Sequence, residues 1–450
     1  MMSLNLRNIA LFAAILLAFV VMAQMQSWTL ALTVLNMALI SSIMALGVNI
    51  QWGYAGLFNV GIAGFTALGG LAVVLIAMPP VPAAWAVGGA HAFLGLAIGA
   101  ASLFAAVLVY KRMTRGPLRA LAITVVLVTG YIVAGIVYGP ATTAITRVNP
   151  AVEGYLGGLG LPVLISWPVG ALLAGGVAWL VGKVALGLRS DYLAIATLGI
   201  SEILIAVVKF EAWLTRGVNN VSGIPRPVTR PVELQTREWV QSLAERLGWT
   251  VPETARIVEL LGYTALFLVV LAILIWLSEK ALNSPWGRMM RAIRDNETAA
   301  RAMGKDVTRR HLMIFVLGSG VCGLAGAMMV TLDGQLTPGS YEPLRFTFLI
   351  WVMVIVGGSG NNWGAVLGGM VIWFLWVQSE PLGRWLMDNG TAWLGNDSGL
   401  RQHLMAQAAH TRLIFMGAAL LLMLRFAPRG LIPERGGIPP TITKRQAAEA

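Results

Sequence analysis

The chain contains few charged residues for its size. Only 12% of its 450 residues are Asp, Glu, Lys or Arg, while 57% are hydrophobic and the mean hydropathy is +0.75. Soluble domains carry roughly 25% charged residues. The composition therefore excludes an ordinary soluble protein and predicts an all-α, polytopic transmembrane helical bundle.

Cysteine and catalytic motifs are equally scarce. The single cysteine, Cys322, lies in an apolar segment, which excludes an intrachain disulfide or a cysteine metal site. The 4 histidines show no ligand spacing. No G-x-x-x-x-G-K-[ST], H-E-x-x-H or G-x-S-x-G pattern occurs. We therefore expect no catalytic residue, no metal, no cofactor and no enzymatic activity in this chain.

Acidic residues are fewer than basic ones, giving a net charge of +12 and a pI near 10.3. In a soluble protein this would suggest nucleic acid as a partner. Here the basic residues concentrate in short loops between apolar segments, and positive residues resist translocation. We therefore expect membrane lipid around the chain, no nucleic acid, and a cytoplasmic location for the basic loops.

The apolar segments that approach the roughly 20 residues of a membrane span divide the whole chain, 1–450, into one transmembrane domain. The candidates are 8–23, 28–48, 53–78, 87–110, 118–139, 162–187, 190–209, 260–278, 312–332, 345–358, 362–379 and 411–427. Segments 53–78 and 345–379 are rich in glycine and are predicted to be broken or re-entrant helices. We expect about 10–12 spans.

Charge placement predicts the orientation. With the N-terminus inside, the basic segments 111–119 and 279–312 and the tail 428–450 all fall in the cytoplasm. The longest loop, 210–259, then lies outside. It contains a predicted amphipathic helix that either lies at the membrane interface or packs as a lid on the membrane domain. Its expected apolar side consists of Trp239, Leu243, Leu247 and Trp249.

Three features inside the spans suggest either packing or a solute path. Gly360, Gly364 and Gly368 recur at a spacing of four, which is typical of close helix contacts, although a glycine-rich helix break would open backbone groups to a pathway. Glu202 is a carboxylate within a span, with Lys209 two turns further along. It either serves transport or forms a hydrogen bond between helices. Asn36, Asn49 and Asn59 are further polar candidates for lining a path, or they simply form hydrogen bonds between helices.

The loop 279–312 is predicted to contain a helix that is presented to a partner. Ser284 and Pro285 are a helix-start signal, and Gly304 is a helix-stop signal. Between them we expect one continuous helix from Trp286 to Met303. Its apolar stripe would comprise Met290, Ile293, Ala300 and Met303. Glu297 stands four residues before Arg301, the favourable order for an intrahelical ion pair.

The same loop resembles that of branched-chain amino acid ABC importer permeases, whose pattern is S-P-x-G-R-x-x-R-A-I-R-[ED]-[ND]-E-x-A-A-x-x-x-G. The matching positions are Ser284, Pro285, Gly287, Arg288, Arg291, Ala292, Ile293, Arg294, Asp295, Asn296, Glu297, Ala299, Ala300 and Gly304. Further stretches are similar to other family segments: SDYLAIATLGISEI at 190–203, GYAGLFNVGIAGF at 53–65 and TRGVNNVSGIPRP at 215–227.

This resemblance implies the ABC importer permease fold in a bacterial cytoplasmic (inner) membrane. It implies a second, homologous permease as heterodimer partner, two cytoplasmic ATP-binding subunits and a periplasmic substrate-binding protein. Coupling to the ATPases would involve Arg288, Arg291, Arg294, Asp295, Glu297, Ala299, Ala300 and Gly304. The translocation path would involve Asn59, Glu202, Asn219 and Gly223.

The implied substrates are leucine, isoleucine and valine. The same machinery could carry urea, amides or another small polar solute, because no residue here defines the side-chain pocket. A stand-alone secondary transporter or channel would show more intramembrane charge and repeat symmetry within the chain. A membrane enzyme would show a catalytic constellation.

Overall fold

The computed structural model describes residues 6–150, 153–393 and 398–434, and these residues form a bundle of helices. The first half contains α1 (Leu6–Met25), α2 (Trp28–Ala55), α3 (Ile62–Ala77), α4 (Pro82–Arg112), α5 (Pro117–Arg147), α6 (Val163–Ala185) and α7 (Ser190–Phe210). The second half contains α8 (Glu238–Leu247), α9 (Val251–Leu282), α10 (Pro285–Asp295), α11 (Glu297–Ala302), α12 (Val307–Asp333), α13 (Leu349–Gly357), α14 (Asn362–Gly390) and α15 (Thr411–Phe426).

Short elements complete the described part of the chain. Short helical segments of three to eight residues occur at Ala212–Thr215, Pro231–Gln235, Pro338–Ser340, Leu344–Phe348, Gly399–Ala406 and Ala408–His410. Strands β1 (Val221–Ser222) and β2 (Gln335–Leu336) pair antiparallel, with Val221 opposite Leu336.

Within the described residues, 10 helices are long and apolar enough to cross a membrane. The predicted all-α, polytopic fold is confirmed, and the chain is a multi-pass membrane protein. Two shorter apolar helices, Ile62–Ala77 and Arg345–Gly357, lie at the positions of the glycine-rich segments. Adding them gives the upper end of the predicted range of spans.

Both glycine-rich segments are broken, as predicted, but their boundaries differ from the prediction. Residues 53–55 belong to the end of α2, and Gly56 then adopts a left-handed conformation with φ of 67°. The second break begins at Gly358, after which α14 is a complete helix that continues past residue 379 to Gly390. The last part of the predicted outer loop 210–259 is helical, because α9 begins at Val251.

The core forms where α2, α3, α6 and α12 approach each other most closely. Gly69 of α3 and Gly170 of α6 both face the backbone of Gly323 in α12, so a Cβ at Gly69 would overlap the Gly323 carbonyl. In a membrane, where apolar lipid competes with apolar side chains, small residues permit the close contact that holds helices together. The close packing predicted for Gly364 and Gly368 is confirmed in the same way, because a Cβ at Gly368 would overlap the Met353 carbonyl of α13.

The segment between α7 and α9 packs onto the end of α9, but through a different face of α8 than predicted. Val240 and Ala244 are buried, whereas Trp239 and Leu247 are 54% and 47% exposed. The polarity pattern predicted the helix correctly. It did not predict which apolar residues of the helix contact the rest of the protein. Of the two expected arrangements, the described residues show the packed one, because α8 docks through Val240 and Ala244 and leaves Trp239 and Leu247 exposed.

Candidate functional site

Two breaks in the helices lie side by side in the bundle. The first, Gly56–Gly61, separates α2 from α3, and the second, Gly358–Asn361, separates α13 from α14. The Gly360 amide donates to Asn49 Oδ1 of α2 at 2.8 Å, and Trp351 Nε1 of α13 donates to the carbonyl of Asn59 at 3.0 Å. Backbone groups freed by a break need partners in a membrane interior, and here a helix next to each break supplies a partner to the other break.

Asn59 holds the first break in place. Its Nδ2 donates to Gln51 Oε1 at 2.9 Å, and its Oδ1 accepts from the Gly61 amide at 2.8 Å. Gln51 in turn donates to the Phe315 carbonyl and to Ser319 Oγ of α12, both at 3.0 Å. Asn59 is only 1% exposed, so the structure places this predicted path residue in a buried network that fixes the break.

Helix α7 provides acceptors for the amides at the start of α3. Thr197 Oγ1 accepts from the Val60 amide at 3.1 Å, and Ser201 Oγ accepts from the Gly64 amide at 2.8 Å. The first N–H groups of a helix have no partner within that helix, and these hydroxyls supply one from a different helix. Sequence reasoning missed Thr197 and Ser201, since a hydroxyl that caps a distant helix has no local signature.

Glu202, adjacent to Ser201, points away from the bundle. It is exposed, and it lies among Leu198, Ile203 and Val207, which are 37%, 63% and 42% exposed. Within the part of the chain described here it forms no hydrogen bond or ion pair. The alternative of a hydrogen bond between helices of this chain is therefore wrong. Asn219 and Gly223 lie beyond the other end of α7, and both are exposed.

A polar network extends from the second break to α9. Asn49 Nδ2 donates to Tyr54 Oη at 3.2 Å, and the Tyr54 hydroxyl donates to Asn362 Oδ1. Asn362 Nδ2 donates to Glu279 Oε1 at 3.0 Å. The network thereby connects α2, α14 and α9 at the end of the bundle where α10 and α11 lie, which we call the loop end.

The loop itself forms two helices instead of the predicted continuous one. Ser284 Oγ accepts from the Gly287 amide at 3.4 Å and starts α10, as predicted. Asn296 then adopts an extended conformation with φ of −155°, and its Oδ1 accepts from the Ala299 amide at 2.9 Å to start α11. Gly304, with φ of 75°, follows the end of α11. From the sequence alone, an Asn that caps a new helix cannot be distinguished from an Asn inside a continuous helix.

The predicted loop residues divide into an inner and an outer set. The outer set consists of the exposed Arg288, Asp295, Glu297, Ala299 and Gly304. Glu297 accepts from Arg301 at 2.6 Å, as predicted. Met303, predicted to lie on the buried stripe with Met290, Ile293 and Ala300, is instead 79% exposed.

The inner set consists of Arg291, Arg294 and Ala300. Arg294 donates to the Gly53 carbonyl of α2 and pairs with Glu434 at 3.0 Å. Burial opposes its charge, but Glu434 and Asp295 outweigh this and raise the pKa of the Arg294 guanidinium. Arg291 Nη2 donates to the Leu282 carbonyl at 3.2 Å. Arg294 thus attaches the loop to the end of α2, and Arg291 attaches it to the end of α9.

The outer side of the loop carries an apolar groove of about 330 Å³. It is lined by Met289, Ala292, Ile293, Asn296, Ala299, Ala300, Met303 and Lys305. The groove spans the junction at Asn296 where α10 and α11 meet.

A multi-pass helical bundle with paired helix breaks and a capped helical loop at one end has the layout of a transport permease. The family model for the branched-chain amino acid transport system / permease component matches residues 118–424, and the chain belongs to this family.

Curated relatives agree with this family. The chain is 28% identical over 270 residues to the high-affinity branched-chain amino acid transport system permease protein LivM of Salmonella typhimurium, covering 59% of this chain and 56% of that protein. It is 27% identical over 313 residues to the probable LivM of Methanocaldococcus jannaschii, covering 68% of this chain and 77% of that protein. The chain thus spans just over half the length of the Salmonella relative.

More distant relatives bear a second permease name. The probable branched-chain amino acid transport permease protein LivH of Methanocaldococcus jannaschii is 29% identical over 104 residues, covering 23% of this chain and 32% of that protein. No solved structure matches the chain.

Proposed function

We propose that this chain is the transmembrane permease subunit of an ATP-binding cassette importer for branched-chain amino acids. The observation that carries the proposal is the capped two-helix loop of 284–304, attached to the ends of α2 and α9 in a chain that has no P-loop of its own. ATP hydrolysis would then occur in two separate subunits. Family membership and the LivM relatives support the substrate class.

The proposed orientation places the loop end in the cytoplasm of a bacterium, at its inner membrane. Arg288, Arg294 and Arg301 lie at this end, as do α1's first residue, Leu6, and the tail segment that contains Glu434. Basic residues near span ends favour the cytoplasmic side. Both termini would therefore be cytoplasmic, and β1, β2 and α8 would face the periplasmic substrate-binding protein.

The ATPase would dock on the outer side of the loop. The groove lined by Ala292 and Ala299 can accept an apolar side chain, while exposed Arg288 and Glu297 orient the partner. Charges at a rim contribute more to orientation and association rate than to affinity. Arg291, Arg294 and Ala300 would transmit the motion to α2 and α9, and Gly304 would end the docking helix.

The translocation path would run along the outward face of α7. An exposed carboxylate within a span is costly beside lipid and normally faces protein or a water-filled cavity. We assign the surface around Glu202 to the contact with the second, homologous permease, with Asn219 and Gly223 at its periplasmic entrance. Asn59 would act here by holding the break that α7 caps through Ser201.

Co-expression tests this assembly directly. A tagged chain, purified in mild detergent after expression with its cognate ATPases and a LivH-like permease, should retain both. A cysteine at Arg294 should react with a membrane-impermeant thiol reagent only after the cells are opened, and a cysteine at Gln235 should react in intact cells. Purification of this chain alone, or reaction of both cysteines from the same side, would refute the proposal.

A further inference from the structure

A cavity of about 1190 Å³ lies between α1 and α9, with α2 and α14 as its floor. The residues at its edge, Leu16, Leu268 and Trp276, are 48%, 48% and 59% exposed. The cavity therefore opens sideways, onto the apolar outer surface of the bundle. Further apolar lining comes from Phe12, Leu35, Leu39, Leu271, Ala272, Ile275, Trp363, Val366 and Met370. We call this feature the α1–α9 groove.

The groove runs along α9 from Thr264 to Leu282, a rise of about 27 Å at 1.5 Å per residue. Within it, the lining residues from Leu268 to Trp276 are all apolar, and this stretch rises about 12 Å at the same spacing. The hydrocarbon core of a bilayer is about 30 Å thick. The apolar stretch thus fits within one leaflet, next to the polar loop end.

The loop end of the groove is polar and carries both signs of charge. Glu279, Arg291 and Glu434 all line it. Glu434 is already paired with Arg294 at 3.0 Å. Glu279 accepts a neutral hydrogen bond from Asn362 at 3.0 Å, and Arg291 donates to the Leu282 carbonyl at 3.2 Å. Glu279 and Arg291 therefore each retain the capacity to bind an opposite charge at the groove's end.

This layout is complementary to an amphiphile with a zwitterionic head. Acyl chains suit the walls between α1 and α9, a phosphate suits Arg291, and a primary ammonium suits Glu279. A purely anionic head would meet Glu279 and Glu434 as well as Arg291. A helix of a partner protein would also fill the groove along its length. Such a helix would not require that charges of both signs lie together at one end of the groove.

We propose that the α1–α9 groove binds one phospholipid with a primary-amine head group, of the phosphatidylethanolamine type. Because α9 leads directly into α10, this lipid would touch the helix that transmits motion from the loop. The assignment of this lipid to the inner leaflet rests on the orientation proposed above. The lipid site itself does not depend on which solute the chain transports.

The test uses the full chain, alone or in its complex, in nanodiscs of equal phosphatidylethanolamine and phosphatidylglycerol, followed by detergent extraction and quantification of retained lipid by mass spectrometry. Ala272→Trp fills the groove. Ile273→Trp is its matched control, because Ile273 is 51% exposed and lies outside the lining. We expect about one retained phosphatidylethanolamine per chain, a severalfold loss in Ala272→Trp, and no loss in Ile273→Trp.

Glu279→Gln gives an independent readout, since Gln preserves an acceptor for Asn362 while removing the charge. We expect this variant to lose the preference for phosphatidylethanolamine over phosphatidylglycerol. Equal retention in Ala272→Trp and Ile273→Trp would overturn the proposal. So would retained lipid of the bulk composition, or loss of the second permease from Ala272→Trp alone, which would make the groove a protein interface.

Discussion

Removal of the negative charge of Glu259 should loosen the outer segment from α9. Glu259 lies in α9 and is 0% exposed. One of its carboxylate oxygens accepts from Arg226, in the segment between α7 and α8, and the other accepts from Arg256. The two arginine side chains are 29% and 39% exposed, so water can partly replace the lost carboxylate around them.

The size of the effect follows from the difference in burial between the Glu259 carboxylate and its two arginine partners. Breaking a fully buried ion pair costs about 3–5 kcal/mol. The partial exposure of both arginines puts the cost of Glu259→Gln below this range, at about 2–3 kcal/mol. Arg256→Gln should cost less than Arg226→Gln, because Arg256 is the more exposed partner and lies on the same helix as Glu259.

A double-mutant cycle measures the pair itself. Unfolding in detergent, titrated with a denaturing detergent, should give a coupling energy of about 1–3 kcal/mol between Glu259→Gln and Arg226→Gln. Glu259→Gln should also speed proteolysis near Arg226 in the folded state. Strictly additive losses, with unchanged proteolysis, would refute the view that this carboxylate fastens the outer segment.

Three further outcomes are expected. Gly69→Ala should reduce thermal stability in detergent, because its Cβ would overlap the Gly323 carbonyl. Gly176→Ala is the control, since Gly176 has open space around it, and this change should be neutral or stabilising by up to about 1 kcal/mol. Equal effects of the two changes would contradict the packing argument. Ser201→Ala should cost about 0.5–2 kcal/mol, and an unchanged unfolding midpoint would argue against its capping role. Glu202→Leu should lower uptake more than Glu202→Gln, because Gln keeps a hydrogen-bonding group; wild-type uptake in both would remove Glu202 from the path.

Sequence reasoning identified the features with local causes. The apolar runs gave the spans, Ser284 and Gly304 gave the limits of the loop helices, and clustered glycine gave the breaks. Each depends on the propensity or pattern of consecutive residues, which a single chain displays directly.

The features that sequence reasoning missed depend on contacts between residues that are far apart in the sequence. Glu259 pairs with Arg226 across 33 positions, and Asn49 meets Gly360 across 311 positions. Asn296 divides the loop into two helices, although its local sequence permits one. Glu202 was identified correctly as unusual, but its outward direction depends on which face of α7 caps α3.

The central claim is that the outer side of the two-helix loop couples ATP hydrolysis to transport, and Ala299 tests it most directly. Ala299 is exposed and lines the groove between α10 and α11, while Thr298 is also exposed and does not line it. The measurement is leucine-dependent ATP hydrolysis in proteoliposomes that contain this chain, the second permease, the ATPases and the binding protein. Ala299→Trp should abolish the stimulation, while Thr298→Trp should retain it. Full stimulation in Ala299→Trp would contradict the account.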